Sequence, residues 1–305
     1  MTITSGSLDP RPKDNWLQRL ANLNVYRAKG GPAPHKALLL LNMLDQFEEL
    51  APDGRTLTLS PALAYRFGVF WTIVAHRRTQ PPSVRLPFFH LSSDGLWECF
   101  DEAGAPCDDR KKAATAALDP GFVAFLRDPE NRLAAMHVLV ETFFPVEERA
   151  ELYALLQIAG PAEGDTDLPV PEAPPARGNA ARFRLTVLSS YDYTCALTGY
   201  RLDAVDVGSP VDAAHIHAHA ASRNNAPQNG IALSKLPHWL FDNGLWSLSD
   251  DLTVLVANDR YFREAAPDQR ALADYAGQPM RLPNVEANRP DPACLRWHRR
   301  KVFLG

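Results

Sequence analysis

Apolar positions recur at helical spacing through most of the first 150 residues. Residues 13–23 show this spacing, and Pro34-His35-Lys36 opens an apolar run over 37–50 that predicts a buried helix. Pro61-Ala62-Leu63 starts another helix, through Val74, and residues 120–144 hold two more, broken at Asp128-Pro129. Between them, residues 88–99 alternate around Asp94-Gly95, which predicts a hairpin. Together these patterns predict a mostly helical domain with a small sheet over residues 1–157.

The periodicity then stops. Residues 160–179 read GPAEGDTDLPVPEAPPARGN, with four acids against Arg177 and a density of Pro and Gly that supports neither helix nor strand. A Pro- and acid-rich linker is therefore expected over 158–180, extended by its prolines, followed by a second domain over 181–305. No internal repeat is visible, and the overall class expected is α+β.

Composition sharpens this division. Of 305 residues, 46% are hydrophobic and 22% charged, an ordinary globular balance. The formal net charge of −4 argues at first sight against nucleic acid, but its distribution does not. Residues 54–93 contain no acid, while Arg55, Arg66, Arg77, Arg78 and Arg85 all fall there. Another basic cluster runs from Arg110 to Lys112, and Arg296-Trp297-His298-Arg299-Arg300-Lys301 forms a basic run near the C-terminus. That run reads either as a solvated helix face or as phosphate contacts with Trp297 packed inward. The N-terminal residues lack the basic and apolar regions of a secretory signal, and no apolar run reaches the roughly 20 residues of a membrane span. Four scattered cysteines make no disulfide framework. A soluble protein of the reducing cytoplasm, without a membrane partner, is the expectation.

Candidate chemistry lies in the second domain. Val211-Asp212-Ala213-Ala214-His215-Ile216-His217-Ala218-His219 reads as a short strand ending in histidines. A polar loop closes at Asn229-Gly230, a second strand follows, and Leu236-Pro237-His238-Trp239-Leu240-Phe241-Asp242-Asn243-Gly244 reads as a helix stopped by Gly244. His238 and Asp242 are four apart and share a helix face. With His215 they form a candidate site for a divalent ion, Mg²⁺ or Mn²⁺ first, with Ni²⁺, Co²⁺ or Zn²⁺ as alternatives. Cys195 reads as a small core residue, since no basic neighbour or helix N-terminus is placed to activate it.

This second-domain pattern resembles the HNH nuclease family over residues 181–256. The resemblance implies a ββα-metal fold that hydrolyses phosphodiester bonds. In it His215 matches the general base, Asn229 the middle asparagine and His238 the final metal-binding histidine. The position before the base, a metal ligand in many relatives, is Ala214 here. The missing ligand is left open among Asp212, Asp242 and His217. Many relatives also carry two CxxC pairs around a structural zinc; only Cys195 stands in that context, so no such zinc is expected.

The first domain resembles the DNA sulfur-binding domain that is joined to HNH cores in modification-dependent restriction endonucleases. The matching stretches run from Arg27 to Leu38, from Arg85 to Leu91 with Asp94-Gly95-Leu96-Trp97, and through Phe143-Phe144-Pro145. The resemblance implies recognition of a phosphorothioate, with sulfur in an apolar cup and basic residues on the remaining oxygens. Sulfur is less strongly hydrated than oxygen, so a dry cup discriminates in its favour. Leu86, Pro87 and Phe88 are the candidate cup, with Leu86 where the family often has Tyr. Arg27, His35, Lys36, Arg77, Arg85 and Arg110 are candidate phosphate contacts. The reading expected is thus an endonuclease acting on double-stranded, phosphorothioate-modified DNA, a homodimer if one site per chain cuts two strands. The alternatives are a nuclease reading another modification or plain DNA, and a non-catalytic DNA-binding protein.

Overall fold

The structure, a computed structural model, describes residues 12–28, 31–50, 55–77, 82–161, 176–258 and 262–305. The chain divides into two compact units, Met1–Gly178 and Asn179–Gly305. Most of the expected linker, residues 162–175, lies outside the described residues. Its end does not behave as a linker: Ala176 opens a helix, because past Pro175 the sequence Ala-Arg-Gly-Asn-Ala-Ala-Arg holds no further proline.

Unit 1 begins with α1 (Pro12–Ala21) and a short antiparallel pair, β1 (Arg27–Ala28) with β2 (Gly31–Pro32). The helix α2 (His35–Asp45) buries every residue from Lys36 to Leu44 and is the centre of the core. After β3 (Thr56–Thr58), α3 (Pro61–Val74) is capped by Ser60, whose Oγ accepts from the Leu63 N–H, with Pro61 at the first helical position. Inside this core, Arg66 of α3 reaches Asp45 and Asn42 at 2.6 and 3.0 Å. That arginine of the acid-free span therefore serves packing.

Next come α4 (Arg85–His90), β4 (Trp97–Phe100) and β5 (Thr115–Leu118), and β3, β5 and β4 form a three-stranded antiparallel sheet in that order. The hairpin expected over 88–99 does not form. Val84, Phe88 and Leu91 are buried at i, i+4 and i+7, the period of a helix, and Gly95 at φ 68° ends the helical stretch before β4. The alternation of buried and exposed residues lies in β4 alone, and its strand partner is β5. The unit closes with α5 (Pro120–Leu126), α6 (Pro129–Phe143) and α7 (Val146–Leu156). Asp119 and Asp128 cap α5 and α6, each followed by a proline, so the break at Asp128-Pro129 is a helix start.

Unit 2 is built on α8 (Ala176–Ser190), β6 (Val211–His215), the short α9 (His219–Ser222), β7 (Gly230–Ser234) and α10 (Lys235–Asp242). β6 and β7 pair antiparallel from Val211↔Ser234 to His215↔Gly230, and α10 packs on both. This is a ββα arrangement. β8 (Trp246–Leu248) pairs with β9 (Val254–Val256), and α11 (Pro292–Lys301) packs against β8. Gly244 has φ 73°, and a Cβ there would lie 2.1 Å from the Val302 carbonyl oxygen, so only glycine ends α10 in this way. No helix among the described residues is long and apolar enough to cross a membrane.

Candidate functional site

His215 is the last residue of β6, where the strand pair gives way to the loop that returns to β7. Its ring stacks on Phe183 of α8, with centroids 4.0 Å apart and planes 10° apart. Its Nε2 lies 3.0 Å from Asn225 Oδ1. Burial lowers the proton affinity of this imidazole; the Asn225 contact and Asp242 oppose that effect, while His219 and His238 add to it. The net direction keeps the ring neutral at pH 7, the form able to accept a proton.

Asn229 is fully buried and spends its whole amide on the loop. Its Oδ1 accepts from the His217 N–H at 2.7 Å, and its Nδ2 donates to the carbonyls of His217 and Asn224, both at 3.0 Å. It ties the two ends of the segment 217–224 together, with both of its N–H donors used within the loop.

His238 projects from α10 between two carboxylates. Asp242 Oδ2 lies 3.3 Å from Nε2, and Asp212 Oδ2 lies 3.7 Å from Nδ1. The two acids are thus on opposite edges of one ring. A metal-ligating histidine uses one nitrogen and gives the other to a hydrogen-bond partner, so Asp212 and Asp242 cannot both share one ion with His238. Asp212 is further engaged by Lys235 and Arg184. Burial pushes its carboxyl up, but the His238 and Lys235 hydrogen bonds and the charges of Lys235 and Arg184 outweigh this and hold it at about 2. Asp242 has no such cations, and partial desolvation raises its carboxyl against the pull of His238 and His215.

Two donor atoms 3.3 Å apart fit one ion with ligand distances of about 2.1 Å. Among the described residues no three His, Cys, Asp or Glu side chains form a ready metal cluster. A His–Asp pair with its remaining positions open suits an ion that keeps waters and takes substrate oxygens, as Mg²⁺ does. His217 stands apart from this pair: its ring stacks on Trp297 of α11 at 4.0 Å. Within the basic run of α11 the buried residue is His298, 2% exposed, and not Trp297. Cys195 is fully buried.

In unit 1 a cleft of about 460 Å³ is lined by Leu86 and Pro87 of α4, His35 and Lys36 at the start of α2, and Tyr26, with His90 nearby. Four of the expected residues thus meet at one place. Lys36 is mostly buried, and its Nζ bonds Asp94 Oδ2 at 2.5 Å, so part of its charge is already met. Phe88, expected with Leu86 and Pro87, does not line this cleft. It is completely buried, its ring 6.0 Å from Trp97 and its carbonyl accepting from Trp97 Nε1 at 2.9 Å, because α4 turns residue 88 to the core while 86 faces out.

Arg27 is exposed on β1 beside the cleft-lining Tyr26. Arg85 starts α4, half-buried, and Arg110 is exposed on the β4–β5 connection; neither lines the cleft. Arg77 ends the turn after α3, and its side chain lies outside what is described. The residues sequence reasoning missed are Tyr26, Phe183 and Asn225. Tyr26 is 77% exposed although aromatic, and its place directly before the stretch from Arg27 to Leu38 was the available signal.

Comparison with known families and structures gives two matches along the chain. Residues 13–160 match the model of the ScoMcrA-like DNA sulfur-binding domain, and residues 195–249 match that of an HNH endonuclease. Among solved structures, similarity extends to the modification-dependent TagI restriction endonuclease, at 24% identity and TM-score 0.31, over 40% of this chain and 38% of that one. The chain therefore spans well under half of that relative's length. The sulfur-binding domain of SprMcrA, complexed with phosphorothioated DNA, is similar at 20% identity and TM-score 0.38, over 46% of this chain and 91% of that one. No curated protein matches. HNH endonuclease domains generally use a divalent metal ion. The chain joins a ScoMcrA-like DNA sulfur-binding domain, residues 13–160, to an HNH endonuclease domain, residues 195–249.

Proposed function

We propose that the protein is a modification-dependent DNA endonuclease that binds phosphorothioated duplex DNA through unit 1 and hydrolyses nearby phosphodiester bonds in unit 2. What carries this reading is the presence, on one chain, of a sulfur-binding domain and an HNH domain whose His215, Asn229 and His238 occupy a ββα arrangement.

Within unit 2, neutral His215 takes a proton from the attacking water. Asn229 holds the loop that follows the base, and His238 with Asp242 would hold a divalent ion, Mg²⁺ or Mn²⁺ by the chemistry of the pair. Asp212 sits behind His238, steadying the ring from its Nδ1 edge. The chemistry such an ion would supply there is neutralisation of charge on the scissile phosphate and on the departing 3′ oxygen.

Within unit 1, Leu86 and Pro87 with the exposed Tyr26 form the apolar wall that accepts sulfur, and His35 and Arg27 face the remaining phosphate oxygens. Lys36 contributes through its pairing with Asp94 more than as a bare charge. The test is cleavage of two duplexes that differ only in phosphorothioate content, with Mg²⁺ or Mn²⁺ present. Cutting of the modified duplex alone is expected. Equal cutting of both would overturn the reader assignment, and no cutting of either would overturn the nuclease assignment.

A further inference from the structure

We infer that Asn225 and Phe183 are positioning residues for His215, clamping its ring in one plane and in the tautomer that leaves Nδ1 as the basic nitrogen. This rests on the reading of His215 as the base. Neither residue belongs to the His-Asn-His pattern, and Phe183 lies outside the residues matched to the endonuclease family.

The clamp has two independent parts. An amide oxygen only accepts, so the 3.0 Å contact between Asn225 Oδ1 and His215 Nε2 requires the proton on Nε2. In a neutral ring Nδ1 is then bare and able to take a proton. The second part is the Phe183 ring, parallel to the imidazole at 4.0 Å, which fixes the plane about its side-chain torsion. The strand pair makes room for it: Gly230 faces His215 across β6–β7, and a Cβ there would lie 2.9 Å from Phe183 and 2.4 Å from Val187. The glycine of Asn229-Gly230 is therefore what lets the aromatic ring approach the base.

The residue before Asn225 in the chain, Asn224, is held on both sides. The Ala226 N–H donates to Asn224 Oδ1 at 2.8 Å, and Asn229 Nδ2 donates to the Asn224 carbonyl. Asn229 thus fixes the backbone at the residue that adjoins Asn225. The remaining titratable groups acting on His215 are His219, with ring centroids 5.2 Å apart, and His238 and Asp242 of α10.

The experiment uses the full chain labelled with ¹⁵N-histidine, with the His215 signals assigned by their loss in His215→Asn. Long-range proton–nitrogen correlations should show the Nε2–H tautomer in the wild type. Asn225→Ala should give mixed tautomers and lower kcat about 10- to 100-fold, with KM within about twofold. Asn225→Asp, which keeps an acceptor at the same place, should restore the tautomer. Phe183→Leu should lower kcat in the same sense, read beside its melting temperature because Phe183 is buried. An Nδ1–H tautomer in the wild type, or an unchanged tautomer in Asn225→Ala, overturns the inference. The tautomer readout needs no substrate, so it stands apart from the nuclease reading, which fails instead if His215→Ala still cuts.

Discussion

His238 and Asp242 stand one turn apart on α10 with Nε2 3.3 Å from Oδ2, while the other ring nitrogen is turned to Asp212. The pair on the Nε2 edge is the proposed metal site, which makes the two aspartates separable. Asp242→Ala should weaken Mn²⁺ binding at least about tenfold, as loss of one of two protein ligands. Asp212→Asn should weaken it less, since Asn still meets Nδ1. Titration calorimetry on the two variants decides; equal losses would place Asp212 on the metal.

His215→Ala removes the proposed base without touching unit 1. Cleavage is expected to fall by about 10²–10⁴-fold while binding of phosphorothioated duplex is unchanged. Single-turnover cutting and a gel-shift assay on the same preparation test both halves.

The cleft in unit 1 distinguishes Tyr26 from Phe88. Tyr26→Ala, at an exposed position, should weaken binding of modified DNA and leave the melting temperature nearly unchanged. Phe88→Ala should instead destabilise unit 1 by about 3–5 kcal/mol, because it empties a fully buried site. Denaturant unfolding paired with binding isotherms separates the two.

A pH-dependence of stability follows from His298. Its ring stacks on Phe241 at 3.8 Å, its Nε2 lies 3.1 Å from the Phe241 carbonyl oxygen, and Ser247 Oγ is 2.8 Å from Nδ1. Nε2–H donates to the carbonyl, leaving Nδ1 to accept from the serine hydroxyl. Burial lowers this histidine from 6.5 to about 4, against the carbonyl bond, which raises it. The unfolded chain therefore takes up the proton first, so its contribution is present above pH 6.5 and is lost as pH falls toward 4, by up to about 3 kcal/mol. Melting of unit 2 followed between pH 7 and pH 4 should show this slope, flattened in His298→Gln.

Much of this architecture is local and was legible in the sequence. Pro61, Pro120 and Pro129 after Ser60, Asp119 and Asp128 mark helix starts through backbone chemistry that needs no distant partner. His215, Asn229, His238 and Gly244 were legible for the same reason, since short connections fix the order strand, loop, strand, helix. The segment around Phe88 was not. Its apolar residues fit both periods, and only the core that receives Val84, Phe88 and Leu91 chooses the helix. Which aspartate meets which nitrogen of His238 depends on how α10 crosses β6, and that is a property of packing. Phe183 reaches His215 from a distant part of the sequence, through a space left by Gly230. Read alone, the amino-acid order gave most helices with their capped starts and offered the candidate site residues, because caps, prolines and short spacings act locally. Packing alone set which face of each element meets which neighbour, and with it the groups beside each nitrogen of His215 and His238 and the residues that line the cleft.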